Sequence, residues 1–215
     1  MHVVITGASR GIGAGLANAY RAAGHDVTGT GRVQGAADAV LDVTSPASHA
    51  ALAETLRDRA VDLLICNAGV YLDRGDDLSA DYAAAKWDET FATNVTGVFL
   101  SVQSLLPNLQ RSAAPRVAII ASQMGSSVQA KGTSLIYRVS KAAAINLGFN
   151  LAQALKGDGI AVGVYHPGWV QTDMGGAAAD ITVEDAVSGL VDRFAALGSE
   201  TTGCFETWDG RAHPI

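Results

Sequence analysis

The segment Thr6-Gly7-Ala8-Ser9-Arg10-Gly11-Ile12-Gly13 constrains this chain more than any other. It follows the short β-branched run His2-Val3-Val4-Ile5 and precedes Leu16, Ala17 and Tyr20 at helical spacing. A buried strand, a glycine turn and a helix, in that order, form the setting that a phosphate-binding βα unit requires. Glycines let the backbone approach a pyrophosphate closely, and the free N–H groups and dipole at the helix start favour its negative charge. Taken alone, these residues also fit a glycine-rich βα turn that binds nothing.

The alternation continues along the chain. Strands are expected over 2–6, 26–30, 38–42, 61–66, 116–121, 160–165 and 203–206, and helices over 11–23, 47–59, 86–110, 134–156 and 182–197. Gly24 and Gly157 suit helix ends, and Pro46 suits a first helical turn. No linker, repeat or low-complexity stretch interrupts the pattern. It predicts an α/β fold: one Rossmann-type, doubly wound parallel sheet of about seven strands with helices on both faces, with residues 1–215 as a single domain. Such sheets bind ligands at the carboxyl ends of their strands, where most of the motifs fall.

Composition excludes several alternatives. A net charge of −6, from 15 basic and 21 acidic side chains, argues against a general nucleic-acid surface. The apolar runs are too short to span a membrane, and nothing like a signal peptide precedes the first strand. Cys66 and Cys204 sit in expected strands and read as buried, reduced thiols, with a disulfide as the lesser reading, so the expected location is cytoplasmic. His166 has no cluster of cysteines or carboxylates beside it, so no metal site is expected.

The second informative segment is Ser134-Leu135-Ile136-Tyr137-Arg138-Val139-Ser140-Lys141. Tyr137 and Lys141 stand at i, i+4, so a helix brings both side chains to one face. A fixed positive charge beside a phenol favours the phenolate and lowers a pKa that is ordinarily about 10. Tyr-x-x-x-Lys alone is common by chance. Its weight comes from the glycine turn upstream.

Together these residues resemble the short-chain dehydrogenase/reductase family. The resemblance runs through Thr6 to Gly13, Asp42-Val43, Asn67-Ala68-Gly69, Asn94, Ser122, Tyr137 to Lys141, and Pro167-Gly168 through Thr172. The segment from His166 to Gly176 and the ending Phe205 to Gly210 are similar to the C-factor/Sniffer-type carbonyl reductases within that family.

The resemblance implies a site. Tyr137 would be the general acid for carbonyl reduction and the base in reverse. Lys141 would lower its pKa and bond the nicotinamide ribose. Ser122 would hold the carbonyl oxygen, and Asn94 would support a proton-relay water near Lys141 through its main chain. Read singly, Ser122 is also a plausible turn or cap residue, and Asn94 a packed polar residue. Gly7, Ser9, Arg10, Gly11, Ile12 and Gly13 would cradle the dinucleotide. Asp42 and Val43 would meet adenine, with Asn67, Ala68 and Gly69 on the same side. Pro167, Gly168, Val170 and Thr172 would flank the nicotinamide. Gln123, Met124, Tyr71 and Trp169 are candidates to line the substrate pocket, although Trp169 fits equally a packing role under its loop. The acidic stretch Asp73 to Asp77 reads as a solvated loop.

Arg10 and Arg32 stand where the family places contacts to a 2′-phosphate. Thr30 and Gly31 occupy the place of the carboxylate that NAD-specific relatives carry. NADP(H) is therefore expected over NAD(H). The implied activity is NADPH-dependent reduction of a small-molecule carbonyl. An NAD-dependent alcohol dehydrogenase and a dinucleotide-binding signalling protein of the C-factor type are the alternatives. Small residues such as Ala142, Ala143, Ala144 and Gly148 on the long helices suit the contact through which relatives form homodimers or homotetramers. Two departures from the family pattern are expected to open the site: little room for a helix between residues 31 and 42, and a short Gly- and Ala-rich segment between Thr172 and Val183.

Overall fold

The computed structural model describes residues 1–79 and 81–215. Seven strands form one parallel sheet: β1 His2–Ile5, β2 Asp26–Gly31, β3 Ala39–Val40, β4 Leu63–Cys66, β5 Arg116–Ile120, β6 Ala161–His166 and β7 Cys204–Thr207. Their order is β3-β2-β1-β4-β5-β6-β7, so the direction of winding reverses between β1 and β4. Ligands bind at that reversal in open α/β sheets, beyond the carboxyl ends of the strands.

Both faces are covered, which is why β1 and β4 are buried throughout and apolar but for His2. On one face lie α1 (Gly11–Ala22) and α6 (Val183–Ala196), packing Leu16, Tyr20, Leu190 and Phe194 against Val3, Ile5 and Ile65. On the other lie α2 (Pro46–Thr55), α4 (Gly97–Leu109) and α5 (Leu135–Ala154), with Leu52, Val102, Leu105, Ile145 and Leu151 over Val4, Leu64 and Ile119. Gly148 lets α5 lie close on the sheet, since a Cβ there would stand 2.3 Å from a Val164 methyl.

Helix ends follow local chemistry. Ser45 caps α2 by accepting from the Ser48 N–H, with Pro46 at the first position. Thr182 and Asp185 form a capping box on α6. Gly24, at φ +79°, follows the end of α1. Gly157 falls inside a short 3-10 turn, Lys156–Asp158, and Gly159 is the residue that takes the left-handed conformation beyond α5.

One expected helix is divided. In place of a continuous 86–110 helix there is α3 (Ala84–Phe91), a π turn (Ala92–Thr96) and α4. The π turn coincides with Asn94, whose side chain is committed elsewhere. The second strand leads into bends and the two-residue β3, with no helix, and the segment from Thr172 to Val183 likewise holds turns only. Cys66 is buried and Cys204 partly so. They lie on strands separated by β5 and β6, and both are free thiols.

Candidate active site

The glycine turn between β1 and α1 is built from backbone contacts. Gly7 is left-handed, and a Cβ there would come within 2.9 Å of the Ala68 Cα. At Gly13 a Cβ would stand 2.2 Å from the Gly7 carbonyl oxygen and 2.5 Å from the Asn67 amide nitrogen, so no side chain fits. Asn67 donates from Nδ2 to the carbonyls of Thr6 (3.1 Å) and Gly7 (3.0 Å). The Thr6 hydroxyl accepts from the Asn67 and Ala68 N–H groups at 3.0 and 3.1 Å. The segment Asn67-Ala68-Gly69 therefore braces the turn. The α1 N-terminus has no side-chain cap and no acidic residue in its first turn. Its N–H groups remain available to an anion, which fits the pyrophosphate of a dinucleotide.

Around this turn the adenosine-side candidates are arranged as follows. Ser9, Arg10 and Arg32 are exposed. Arg10 pairs with Asp173 at 3.0 Å, while Arg32 has no carboxylate partner among the described residues. Asp42 uses one carboxylate oxygen to accept from Thr44 N–H (2.9 Å) and hydroxyl (2.7 Å). Those bonds hold its pKa below the usual aspartate range. Val43 is buried against Gly97, where a Cβ would meet it at 2.9 Å.

The reacting end opens on a cavity of about 400 Å³. Ser122, Gln123 and Met124 enter it from the end of β5, Tyr137 from α5, and Ile12 from the glycine turn. Pro167, Gly168, Trp169, Val170 and Thr172 close the side beyond β6. Ser122 caps a 3-10 turn, its Oγ accepting from the Met124 N–H at 3.1 Å, and lines the cavity together with Tyr137. The cap reading of this serine is met, and the cap leaves it lining the cavity. Thr172 Oγ1 accepts from the Gly175 N–H at 3.0 Å and donates to the Val170 carbonyl at 3.3 Å. Trp169 is about half exposed and donates from Nε1 to the Gly175 carbonyl at 2.9 Å, so it pins the loop while facing the cavity.

Lys141 and Asn94 lie behind this surface. The Lys141 ammonium donates to the Ile120 carbonyl at 3.0 Å and stands 5.7 Å from the centre of the Tyr137 ring. Asn94 is buried. Its Oδ1 accepts from Val70 N–H (2.8 Å), and Nδ2 donates to Val70 carbonyl (2.9 Å) and Ser140 Oγ (3.0 Å). Its side chain thus ties the end of β4 to the catalytic helix, which leaves only its main chain for the relay expected of it.

The charge states correct one expectation. Burial pushes the Tyr137 phenol up to about 12, against a smaller lowering by the Ser122 hydroxyl. Lys141 does not pull it down. Burial instead lowers Lys141 itself to about 8. The cause is dehydration: both groups are nearly inaccessible, and each charged form is penalised.

Asp73 was read as part of a solvated loop, and the structure overturns that. It is fully buried and accepts from the Ile136 N–H at 2.8 Å and the Tyr137 N–H at 3.3 Å. It thereby caps the catalytic helix, whose own N-cap residue, Ser134, is left-handed at φ 55° and supplies no side-chain cap. The Tyr71 hydroxyl meets Ser134 Oγ at 2.5 Å, and the Tyr71 ring stacks on Tyr137 with centroids 4.3 Å apart. Asp73 and Tyr71 act across more than sixty residues of sequence, and no local pattern marks the cap.

The short chain dehydrogenase family pattern matches residues 1–182. The chain belongs to that family. The chain is similar to C-signal of Myxococcus xanthus, at 37% identity over 158 residues, covering 72% of this chain and 92% of that protein. It is similar in structure to the NADPH-bound carbonyl reductase from chicken fatty liver, with a TM-score of 0.90 and 29% identity, covering 100% of this chain and 98% of the other. The carbonyl reductase Sniffer of D. melanogaster shares the fold, with a TM-score of 0.88 at 23% identity over 100% and 99% of the two chains. As a short-chain dehydrogenase the protein is an oxidoreductase with a dinucleotide-binding Rossmann fold. No helix among the described residues is long and apolar enough to cross a membrane.

Proposed function

We propose that this protein reduces an aldehyde or ketone to an alcohol, using NADPH. The observation that carries the reading is the convergence of Ser122 and Tyr137 on one cavity, with the Lys141 ammonium behind them. When bound, the dinucleotide supplies the hydride. The protein's part is to hold the carbonyl oxygen between the Ser122 hydroxyl and the Tyr137 phenol and to deliver the phenolic proton as negative charge develops there. A phenol held at about 12 stays protonated at neutral pH, which suits donation and hence the reductive direction.

The residues fit the cofactor. The uncapped α1 N-terminus, Gly7 and Gly11 suit the pyrophosphate, Asp42 and Val43 the adenine, and Pro167 to Thr172 with Lys141 the nicotinamide riboside. Arg32, unpaired and just beyond β2, supports NADPH over NADH. The two free thiols support a cytoplasmic location. We take residues 1–215 as one catalytic domain that pairs through the exposed sides of α4 and α5, where Phe99 and Val139 stand open. A monomeric mass by light scattering across the micromolar range would refute that pairing. The activity is tested by screening aldehydes, ketones and quinones with both cofactors. Turnover with NADPH is expected. Its absence across the panel, with the dinucleotide still bound, would favour a binding or signalling role like that suggested by the likeness to C-signal.

A further inference from the structure

Carbonyl reduction leaves unused a group of charges around the cavity. Arg74, Lys131 and Arg138 line it, and Asp180 is the one carboxylate that faces them. Among the described residues none of the three cations pairs with an acidic side chain. The chain as a whole carries −6, so this positive excess is local to the cavity. Burial of apolar substrate surface would require no cations here.

The three differ in what else they do. Arg138 is a brace: it donates to the carbonyls of Thr133 (2.9 Å), Gln129 (2.9 Å) and Met124 (3.3 Å), which neutralise none of its charge. Lys131 stands exposed at the rim. Arg74 is held in place without being neutralised. Its guanidinium lies 5.0 Å above the Tyr71 ring, which in turn stacks on Tyr137. One of its N–H groups donates to the Met174 carbonyl. Asp73 beside it is anchored on the helix start, so the strap from Tyr71 to Arg74 is tied at both ends of this stack. A guanidinium held over an aromatic ring keeps donors for a ligand and loses little freedom when they engage it.

These cations are not placed to serve the dinucleotide phosphates. Of the glycine turn only Ile12 lines this cavity, beside the α1 N-terminus whose uncapped N–H groups suit the dinucleotide phosphates.

We propose that the carbonyl substrate carries an oxyanion, a carboxylate or a phosphate, which Arg74 binds while Ser122 and Tyr137 hold the carbonyl. The inference rests on the carbonyl-reduction reading above. The planar fork of arginine matches both oxyanions with paired, charge-assisted hydrogen bonds. Lys131 and Arg138 add a field that draws an anion toward the opening and that salt screens.

The test compares kcat/KM with NADPH for 4-carboxybenzaldehyde, 4-formylphenyl phosphate and the neutral methyl 4-formylbenzoate. Wild type, Arg74→Ala and Arg74→Glu are assayed side by side, so the intrinsic reactivity of each aldehyde cancels between variants. The anion-to-neutral ratio should fall about tenfold or more in Arg74→Ala, mainly through KM, and further in Arg74→Glu. Added salt should lower the same ratio in wild type. A response confined to the carboxylate or to the phosphate identifies which oxyanion the site takes. If both ratios survive Arg74→Glu, the inference is overturned while carbonyl reduction stands. If wild type turns over none of the three, both readings fall together.

Discussion

At the glycine turn, backbone packs against backbone: a Cβ on Gly13 would overlap the Gly7 carbonyl, and the Asn67 side chain ties the turn to the end of β4 by donating to the Thr6 and Gly7 carbonyls. Around Tyr137 side chains meet side chains: a phenol stacked on Tyr71, a serine from the turn after β5 in the same cavity, and an arginine from a loop over the Tyr71 ring. The two ends of one site thus tolerate change differently. At Gly7 and Gly13 the nucleotide end leaves no room for a side chain. The substrate end can exchange its side chains while the backbone stays, so its chemistry and selectivity are set there.

The largest effect separates the two ends outright. Tyr137→Phe removes the proton donor but keeps the ring stacked on Tyr71. kcat for carbonyl reduction should fall about 10²- to 10⁴-fold, the usual contribution of a positioned acid. NADPH affinity, read by fluorescence quenching, should stay near wild type. Equal losses in both would mean that the two ends are not separable. The pH profile sharpens the same point. With the phenol pushed up to about 12, its ionised form is scarce at neutral pH, so alcohol oxidation by wild type should climb steadily as pH rises. A plateau below pH 8 would show that the phenol ionises far more readily than its burial dictates.

A smaller effect is expected at Asp73, which joins the substrate end to the fold. Asp73→Ala leaves two N–H groups of the catalytic helix without their acceptor. Loss of a cap costs about 1–2 kcal/mol, and for a chain of this size about 1 kcal/mol lowers Tm by roughly 2–4 °C. Asp73→Asn keeps an acceptor oxygen and loses only the charge at the helix start, so its Tm should lie between those of wild type and Asp73→Ala. kcat should fall in the same order, by less than in Tyr137→Phe. A normal kcat in Asp73→Ala at unchanged NADPH affinity would show that the cap does not position Tyr137.

The same contrast explains what could be read from residues alone. Glycines at 7, 11 and 13 are legible because a backbone requirement leaves one residue type, and strand–helix alternation is legible because periodicity is local. Tyr137 and Lys141 are legible as an i, i+4 pair. What the pair does electrostatically is not, since burial outweighs the neighbouring charge and depends on everything packed around it. The role of Asp73 was hidden for a related reason. Its partners, Ile136 and Tyr137, lie on another element, and the five residues from Asp73 to Asp77 read as solvated loop whether or not one of them turns inward. The π turn at Asn94 was likewise set by a tertiary bond, to Val70, that helix propensity does not report.

The smallest effect lies at the nucleotide end, where side chains rather than glycines do the sorting. Arg10 and Arg32 were both expected to meet a 2′-phosphate, yet they stand in different circumstances. Arg10 already engages Asp173 at 3.0 Å, with both side chains about three-quarters exposed. Such a surface pair contributes at most about 1 kcal/mol, so Arg10 can exchange partners readily but gains little by doing so. Among the described residues Arg32 has no carboxylate to leave. Arg32→Ala should therefore lower kcat/KM for NADPH by about tenfold, the scale of one charge-assisted contact, and leave that for NADH nearly unchanged. Arg10→Ala should do the same more weakly. Asp173→Ala frees Arg10 and should raise the NADPH preference slightly, an effect that salt removes because every group involved is exposed. If Arg10→Ala proves the more damaging of the two, then the phosphate site is formed by the turn itself, and Asp173 is a competitor for it.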